Sequence, residues 1–203
     1  SEIHYHAYCE ALAAEPVEVL DYSELSGMRT DSAIQKIFNK SGIILNPEKL
    51  QELVSRKRES ASEMLQKHPP VAPDCNKVIA EFYRRGIPLA LASSSSSQNV
   101  KLFLDSSVTS NFFSVILSGD DVKNAKPDKE IFQTARNCLG IHTEFCFVVE
   151  DSENGIVGAQ ADGMKVIGVI GQHTKRELEI FGTVATISRL DELLQLSEFQ
   201  SNI

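Results

Sequence analysis

Up to residue 68 the apolar positions of this chain recur at three- and four-residue spacings, in HYHAYCEALAA (4–14), SAIQKIFNKSG (32–42) and PEKLQELVSRKRESASEMLQ (47–66). That spacing gathers apolar side chains on one face of a helix, so the segment is predicted to form a small bundle of amphipathic helices. The texture changes at HPPVAPD (68–74). Beyond it, short β-rich runs at 87–92, 114–117, 145–149 and 165–170 alternate with helical patterns at 74–85, 97–105, 128–138 and 152–161. Strands alternating with helices predict right-handed crossovers and a mostly parallel sheet covered on both faces. The expected fold class is therefore α/β, with a helical domain at 1–68 and a sheet-based core domain at 69–203.

With 203 residues and 42% apolar content, the chain is long enough to bury a real core. Its net charge of −8 opposes nonspecific binding to nucleic acid or an anionic membrane, so an anionic ligand needs locally placed cations. Cys9, Cys75, Cys138 and Cys146 form no CxxC pair and lie far apart in sequence, which fits reduced thiols of a cytoplasmic protein. The apolar runs are of strand length, with no signal peptide and no membrane span.

Three short patterns carry chemistry. The run IPLALAS (87–93) ends in Ser93 and opens the five-serine tract 93–97. A serine tract alone is a flexible linker, but this one starts at the carboxyl end of a buried strand, the edge where α/β sheets bind ligands. There a Ser93 hydroxyl and the following N–H groups, including that of Ser94, suit a phosphoryl oxygen. In NAKPDKEIF (124–132), Pro127 is predicted at the first turn of a helix ended by Gly140, which holds Lys126 at the sheet edge. A cation there neutralises a transferring phosphoryl group. In FCFVVEDSENG (145–155), Glu150 and Asp151 close an apolar strand, where a pair of carboxylates wants a hard cation such as Mg²⁺. Ser152 or Asp151 also suits a helix cap, which is compatible with metal binding.

The order and spacing of these patterns resemble the haloacid dehalogenase superfamily. VVEDSENGIVGAQADGMKVIGV (148–169) is similar to its fourth motif throughout, and the subgroup most resembled contains β-phosphoglucomutase and related sugar-phosphate phosphatases. The resemblance implies a Rossmann-like core, a helical cap at 1–68, and Mg²⁺ held by Glu150 and Asp151. It assigns phosphate binding to Ser93 and transition-state stabilisation to Lys126. Arg29 in GMRTDS and Lys57 in SRKRES match cap residues that contact substrate, and His4 matches a histidine near the phosphate, with His6 a competitor for that place. Ser96 stands where phosphoglucomutases often have lysine.

In that family a DxDG-type motif with the nucleophilic aspartate precedes all of these, whereas SEIHYHAY (1–8) is similar to the stretch that follows it. The resemblance thus implies a further strand, central in the sheet between those ending at Ser93 and Val149, and the chain by itself is expected to be inactive. The expected activity is hydrolysis of a small phosphorylated metabolite such as a sugar phosphate through an aspartyl-phosphate. A β-phosphoglucomutase-like phosphomutase and a truncated or noncatalytic relative are the alternatives.

Overall fold

The helical spacings of the first third become four helices in the computed structural model, which describes residues 2–68, 73–107 and 109–199. They are α1 (Glu2–Leu12), α2 (Tyr22–Leu25), α3 (Thr30–Lys40) and α4 (Pro47–Lys67). Asn46 starts α4 by accepting a hydrogen bond from the Lys49 amide at 2.8 Å, with Pro47 at the first helical position. Tyr8, Leu12, Ile34, Ile37, Phe38 and Leu53 form the apolar core of this unit. Along α4 the buried positions Leu53, Lys57, Ala61 and Leu65 fall four residues apart, so Lys57 carries a charge into the core-facing stripe. Most of the junction expected at 68–74 lies outside the described residues.

The second part runs α5 (Pro73–Arg84), β1 (Ala90–Ala92), α6 (Ser97–Ser107), β2 (Val115–Leu117), α7 (Glu130–Leu139) and β3 (Phe147–Glu150). It continues through α8 (Glu153–Ala161), β4 (Lys165–Val169), α9 (Lys175–Ile180) and β5 (Ala185–Ile187). All described strand pairs are parallel: Leu91 lies opposite Ile116, Val149 opposite Ile167, and Gly168 opposite Thr186. Adjacent residues of β4 show why the sheet is covered twice. Val166 packs on one face with Ile131, Phe132, Ile156 and Leu178, while Ile167 packs on the other with Val78, Phe82, Ile187 and Leu193.

The strands form two sheets rather than one, β1-β2 and β3-β4-β5. Among the described residues, nothing pairs with the second edge of β1 or with the second edge of β3. Between these edges runs a largely apolar groove of about 330 Å³, lined by Phe82, Leu89, Leu91, Phe132, Phe147 and Val148.

One local expectation fails. Pro127 does not open α7, which starts at Glu130 after a turn and ends at Gly140. The turn is fixed by polar bonds: the Asp128 carboxylate accepts from the Glu130 amide at 2.8 Å, and the Glu130 carboxylate accepts from the amides of Lys123 and Asn124 at 2.9 Å each. Lys126 still sits ahead of the helix, presented by that turn rather than by the helix itself.

Candidate active site

A pocket of about 270 Å³ opens where the helical unit faces the carboxyl ends of β1 and β3. His4, Lys57, Ser93, Ser94, Lys126, Glu150 and Asp151 all line it. Residues far apart in sequence, and given to this site on local pattern alone, therefore meet in one place. Of the two competing histidines, His4 lines the pocket, whereas His6 is exposed and does not.

The serine loop hangs from β1. The Ser93 amide donates to the Leu117 carbonyl at 2.9 Å, extending the β1-β2 ladder, and the Ser93 hydroxyl oxygen accepts from the Ser95 amide at 3.2 Å. That leaves the hydroxyl proton of Ser93 for a ligand in the pocket. Ser94 is already engaged, because its hydroxyl donates to the Gly27 carbonyl of the helical unit at 2.6 Å. Ser96 Oγ and Gln172 Oε1 are buried with no partner among the described residues, and both residues line the pocket. Ser96 carries a sequence signal only through the resemblance, as the position where phosphoglucomutases often have lysine, whereas Gln172, a glutamine in a loop, carries no distinguishing pattern.

Lys126 is buried and makes three contacts. Its Nζ donates to the Ala92 carbonyl at 3.2 Å and to Glu150 Oε1, and it lies 4.6 Å from the centre of the Phe132 ring. Glu150 is held on its other oxygen by the Ser152 hydroxyl at 2.9 Å, and Ser152 in turn caps α8 by accepting from the Gly155 amide at 3.1 Å. Gly155 is required for this arrangement: a β-carbon there would stand 2.1 Å from Glu150 Oε1. The two acids thus differ, with Glu150 paired to Lys126 and Asp151 without an ion-pair partner among the described residues. Burial, and secondarily the Glu150 charge, push the Asp151 carboxyl above the usual aspartate range. Asp151 is solvent-exposed at the pocket, and an accessible carboxylate of this kind fits a hard cation that takes one or two protein carboxylates and completes its shell with water and phosphate oxygens. Among the described residues no third His, Cys, Asp or Glu joins it in a cluster.

The helical unit contributes a second cation. Lys57 is buried, with no carboxylate partner among the described residues, and its Nζ lies 3.1 Å from His4 Nδ1 and 4.5 Å from the Tyr8 ring centre. Burial, and then the neighbouring Arg58, lower Lys57 to about 8, while burial, followed by the Lys57 charge, lowers His4 to about 3. At neutral pH the pair is an ammonium beside a neutral imidazole. Tyr22 also lines the pocket and is pushed up to about 12 by burial and then by Asp151, a contribution absent from the sequence reading.

Arg29 is not brought into the pocket. Asp31, two residues on, binds its guanidinium through both carboxylate oxygens at 2.8 Å, and the remaining nitrogen donates to the carbonyls of Val122 and Lys123 at 3.1 and 3.0 Å. The short-range carboxylate captures the side chain and aims it at a core loop instead of at substrate. Among the described residues no helix is long and apolar enough to cross a membrane, and all four cysteines are free.

The arrangement offers a phosphoryl group hydroxyl and amide donors from the serine loop, two ammonium groups and a cation-seeking carboxylate. Comparison with known proteins agrees in kind. The chain is 28% identical over 174 residues to the β-phosphoglucomutase of Bacillus subtilis, a match covering 81% of this chain and 76% of that protein. It is 28% identical over 169 residues to the chloroplastic 5-amino-6-(5-phospho-D-ribitylamino)uracil phosphatase of Arabidopsis thaliana, covering 83% of this chain and 44% of that one. Against four of the curated relatives, the aligned stretch spans between 9% and 60% of the relative's own length. The solved structure of CbbY from Rhodobacter sphaeroides in complex with phosphate superposes with a TM-score of 0.79 at 27% identity, covering 95% of this chain and 89% of that one. The family model for haloacid dehalogenase-like hydrolases matches residues 1–169, and the chain belongs to that family.

Proposed function

We propose that this protein is a phosphatase of a small phosphorylated metabolite such as a sugar phosphate, working with Mg²⁺ in the pocket between a helical cap, 1–68, and an α/β core, 69–203. The observation that carries the reading is the convergence of Ser93, Lys126 and Asp151, from three separate segments, on one small pocket. Asp151 would hold the metal, with Glu150 acting chiefly by fixing Lys126. When bound, the ion supplies charge neutralisation between phosphate and an attacking carboxylate.

Ser93 donates its hydroxyl proton to a phosphoryl oxygen, and the amides opening α6 add donors aligned with the helix dipole. Lys126, pinned by Glu150 and the Ala92 carbonyl, presents a fixed positive charge that stabilises negative charge building up on transfer. Lys57 and the neutral His4 close the pocket from the cap side, where displacing water strengthens each electrostatic contact. The attacking aspartate would enter on a further strand seated in the groove between β1 and β3; its carboxylate would displace the ester oxygen, which leaves as an alcohol protonated by a second aspartate of the same motif, and water would then cleave the aspartyl-phosphate to inorganic phosphate and free carboxylate. Support for that seat comes from the two facing strand edges and the apolar walls between them. The free cysteines support a cytoplasmic setting.

The similarity to β-phosphoglucomutase favours a second reading, a phosphomutase. Such an enzyme needs a cationic place for a second phosphate, and the engagement of Arg29 outside the pocket leaves Lys57 as the cation the cap supplies there, which favours the phosphatase. Phosphate release from sugar phosphates by the native protein with Mg²⁺, set against interconversion of glucose 1-phosphate and glucose 6-phosphate, decides between them. Release without interconversion supports the phosphatase; interconversion without net release overturns it.

A further inference from the structure

Two arginines leave the helical unit and meet the same short stretch of core, residues 118–124 after β2. Arg29 reaches the carbonyls of Val122 and Lys123, as described above. Arg58, the residue after Lys57 on α4, donates from Nη2 to Asp120 Oδ1 at 2.8 Å. The other oxygen of Asp120 accepts from the Ser97 amide at 2.9 Å and from the Ser97 hydroxyl at 3.2 Å, at the first residue of α6. One carboxylate therefore ties the helix that carries Lys57 to the helix that follows the serine loop.

The receiving stretch is itself rigidly set. The Gly119 amide donates to the Ser95 carbonyl at 2.8 Å, and a β-carbon on Gly119 would stand 2.6 Å from the Ser94 carbonyl oxygen. The Asp121 carboxylate accepts from the Ser118 amide and hydroxyl at 2.7 and 2.6 Å, and Glu130 holds the amides of Lys123 and Asn124. Loop 118–124 cannot shift without carrying the serine loop with it. Burial alone would raise the Asp120 carboxyl, but the bond from the Ser97 amide and the Arg58 charge outweigh it and hold the group below the usual aspartate range. Both partners of the Arg58–Asp120 pair are about a third exposed, with side-chain accessibilities of 34% each, so the pair adds little to global stability. Its effect is geometric.

We propose that Asp120 is a positioning residue, which with Arg58 and Arg29 fixes the Lys57-bearing helix in register over the serine loop. Its consequence for phosphate binding rests on the function proposed above; the mechanical coupling does not. An exposed charge pair is thereby linked to the order of the pocket, and Arg29 serves the site by gripping the core rather than by touching substrate.

The test is a double-mutant cycle on the chain, with Arg58→Gln, Asp120→Asn and both together. Amide hydrogen exchange is measured along α4, α6 and the serine loop, and inorganic phosphate with Mg²⁺ serves as the binding probe. Each single variant is expected to speed exchange at the Ser96 and Ser97 amides by roughly fivefold, with the double variant no faster than either single one. Arg58→Lys should restore most of the protection, since it keeps the charge. Phosphate affinity should fall in parallel. Additive effects, unchanged exchange at Ser97, or a uniform rise through the core strands as well would each overturn the proposal. If wild-type chain binds no phosphate, the proposed function is at fault, and the exchange data still judge the coupling separately.

Discussion

Replacing Lys57 with methionine should stabilise the protein, although Lys57 lines the pocket and serves it. Its ammonium is buried on the core-facing stripe of α4, and burial lowers its proton affinity from 10.5 to about 8. At about 1.4 kcal/mol per tenfold change in affinity, keeping Lys57 protonated in the folded chain costs about 3 kcal/mol. The sign follows from the direction of the change. A base whose folded value lies below its unfolded value carries the full cost below about 8 and sheds it as pH rises toward 10.5, because there the unfolded chain binds the proton and the folded chain does not. Methionine keeps the length and apolar contact with Tyr8 without the charge. Urea unfolding of Lys57→Met and wild type, followed by far-UV circular dichroism at pH 7 and pH 10, reads the effect. The stability gap should shrink from about 3 kcal/mol at pH 7 to about 1 kcal/mol at pH 10, and ionisation of tyrosines common to both proteins cancels from it. The lost contact with His4 offsets the gap by a constant, so its pH dependence is the diagnostic part. A gap that does not change between the two pH values would refute the reasoning.

The same substitution at Lys126 should act in the opposite direction: Lys126→Met strands the buried Glu150 and is expected to cost about 3–5 kcal/mol, with Lys126→Met/Glu150→Gln recovering a large part of it in the same assay. Asp151→Asn should raise the melting temperature at pH 7 only slightly, because partial desolvation and then the Glu150 charge disfavour the ionised carboxylate while its solvent exposure screens both, and this gain should fade as acid protonates Asp151 in wild type. MgCl2 should raise the melting temperature of wild type and leave Asp151→Asn unchanged; an equal response in both would remove Asp151 from the metal site. Gly155→Ala forces Glu150 away from Lys126, so a loss of about 1–3 kcal/mol is expected by chemical denaturation, and wild-type stability in that variant would contradict the packing described.

The amphipathic helices and the buried strands were readable because their side-chain periodicities record which face is covered. Beyond residue 170, α9 and β5 were not: α9 spans six residues, under two turns, and β5, no shorter than β1 or β2, has a threonine between Ala185 and Ile187 rather than a continuous apolar run. Lys57 was identified from its local motif, but a purely physical signal was also available. Leu53, Ala61 and Leu65 bracket it at four-residue steps, so a lysine at that position had to be buried, unlike Arg56 and Arg58 beside it. The motif around Arg29 implies a substrate contact, whereas the side chain is held by Asp31 outside the pocket, because a motif reports residue types and not the competing acceptor two positions away. Pro127 misled for a related reason, since the Asp128 and Glu130 carboxylates build a turn before the helix begins. Asp120 left no local trace at all. Its partners stand 62 and 23 residues away, and only folding brings them together.

Lys126 spans the seam between the two sheets: its ammonium holds the Ala92 carbonyl at the end of β1 and the Glu150 carboxylate at the end of β3. No described strand hydrogen-bonds across that seam, so at the pocket the two halves are bridged by side chains, Lys126 directly and Ser94 and Asn154 through the cap turn at Ser26 and Gly27, rather than by a ladder of backbone bonds. The serine loop belongs to one half of this jaw and the acids to the other. Any molecule or segment that lodges in the seam therefore adjusts the spacing of the phosphate-handling groups directly, in the way a shim sets the gap of a vice, and a change of charge at Lys126 alters alignment and electrostatics in a single stroke.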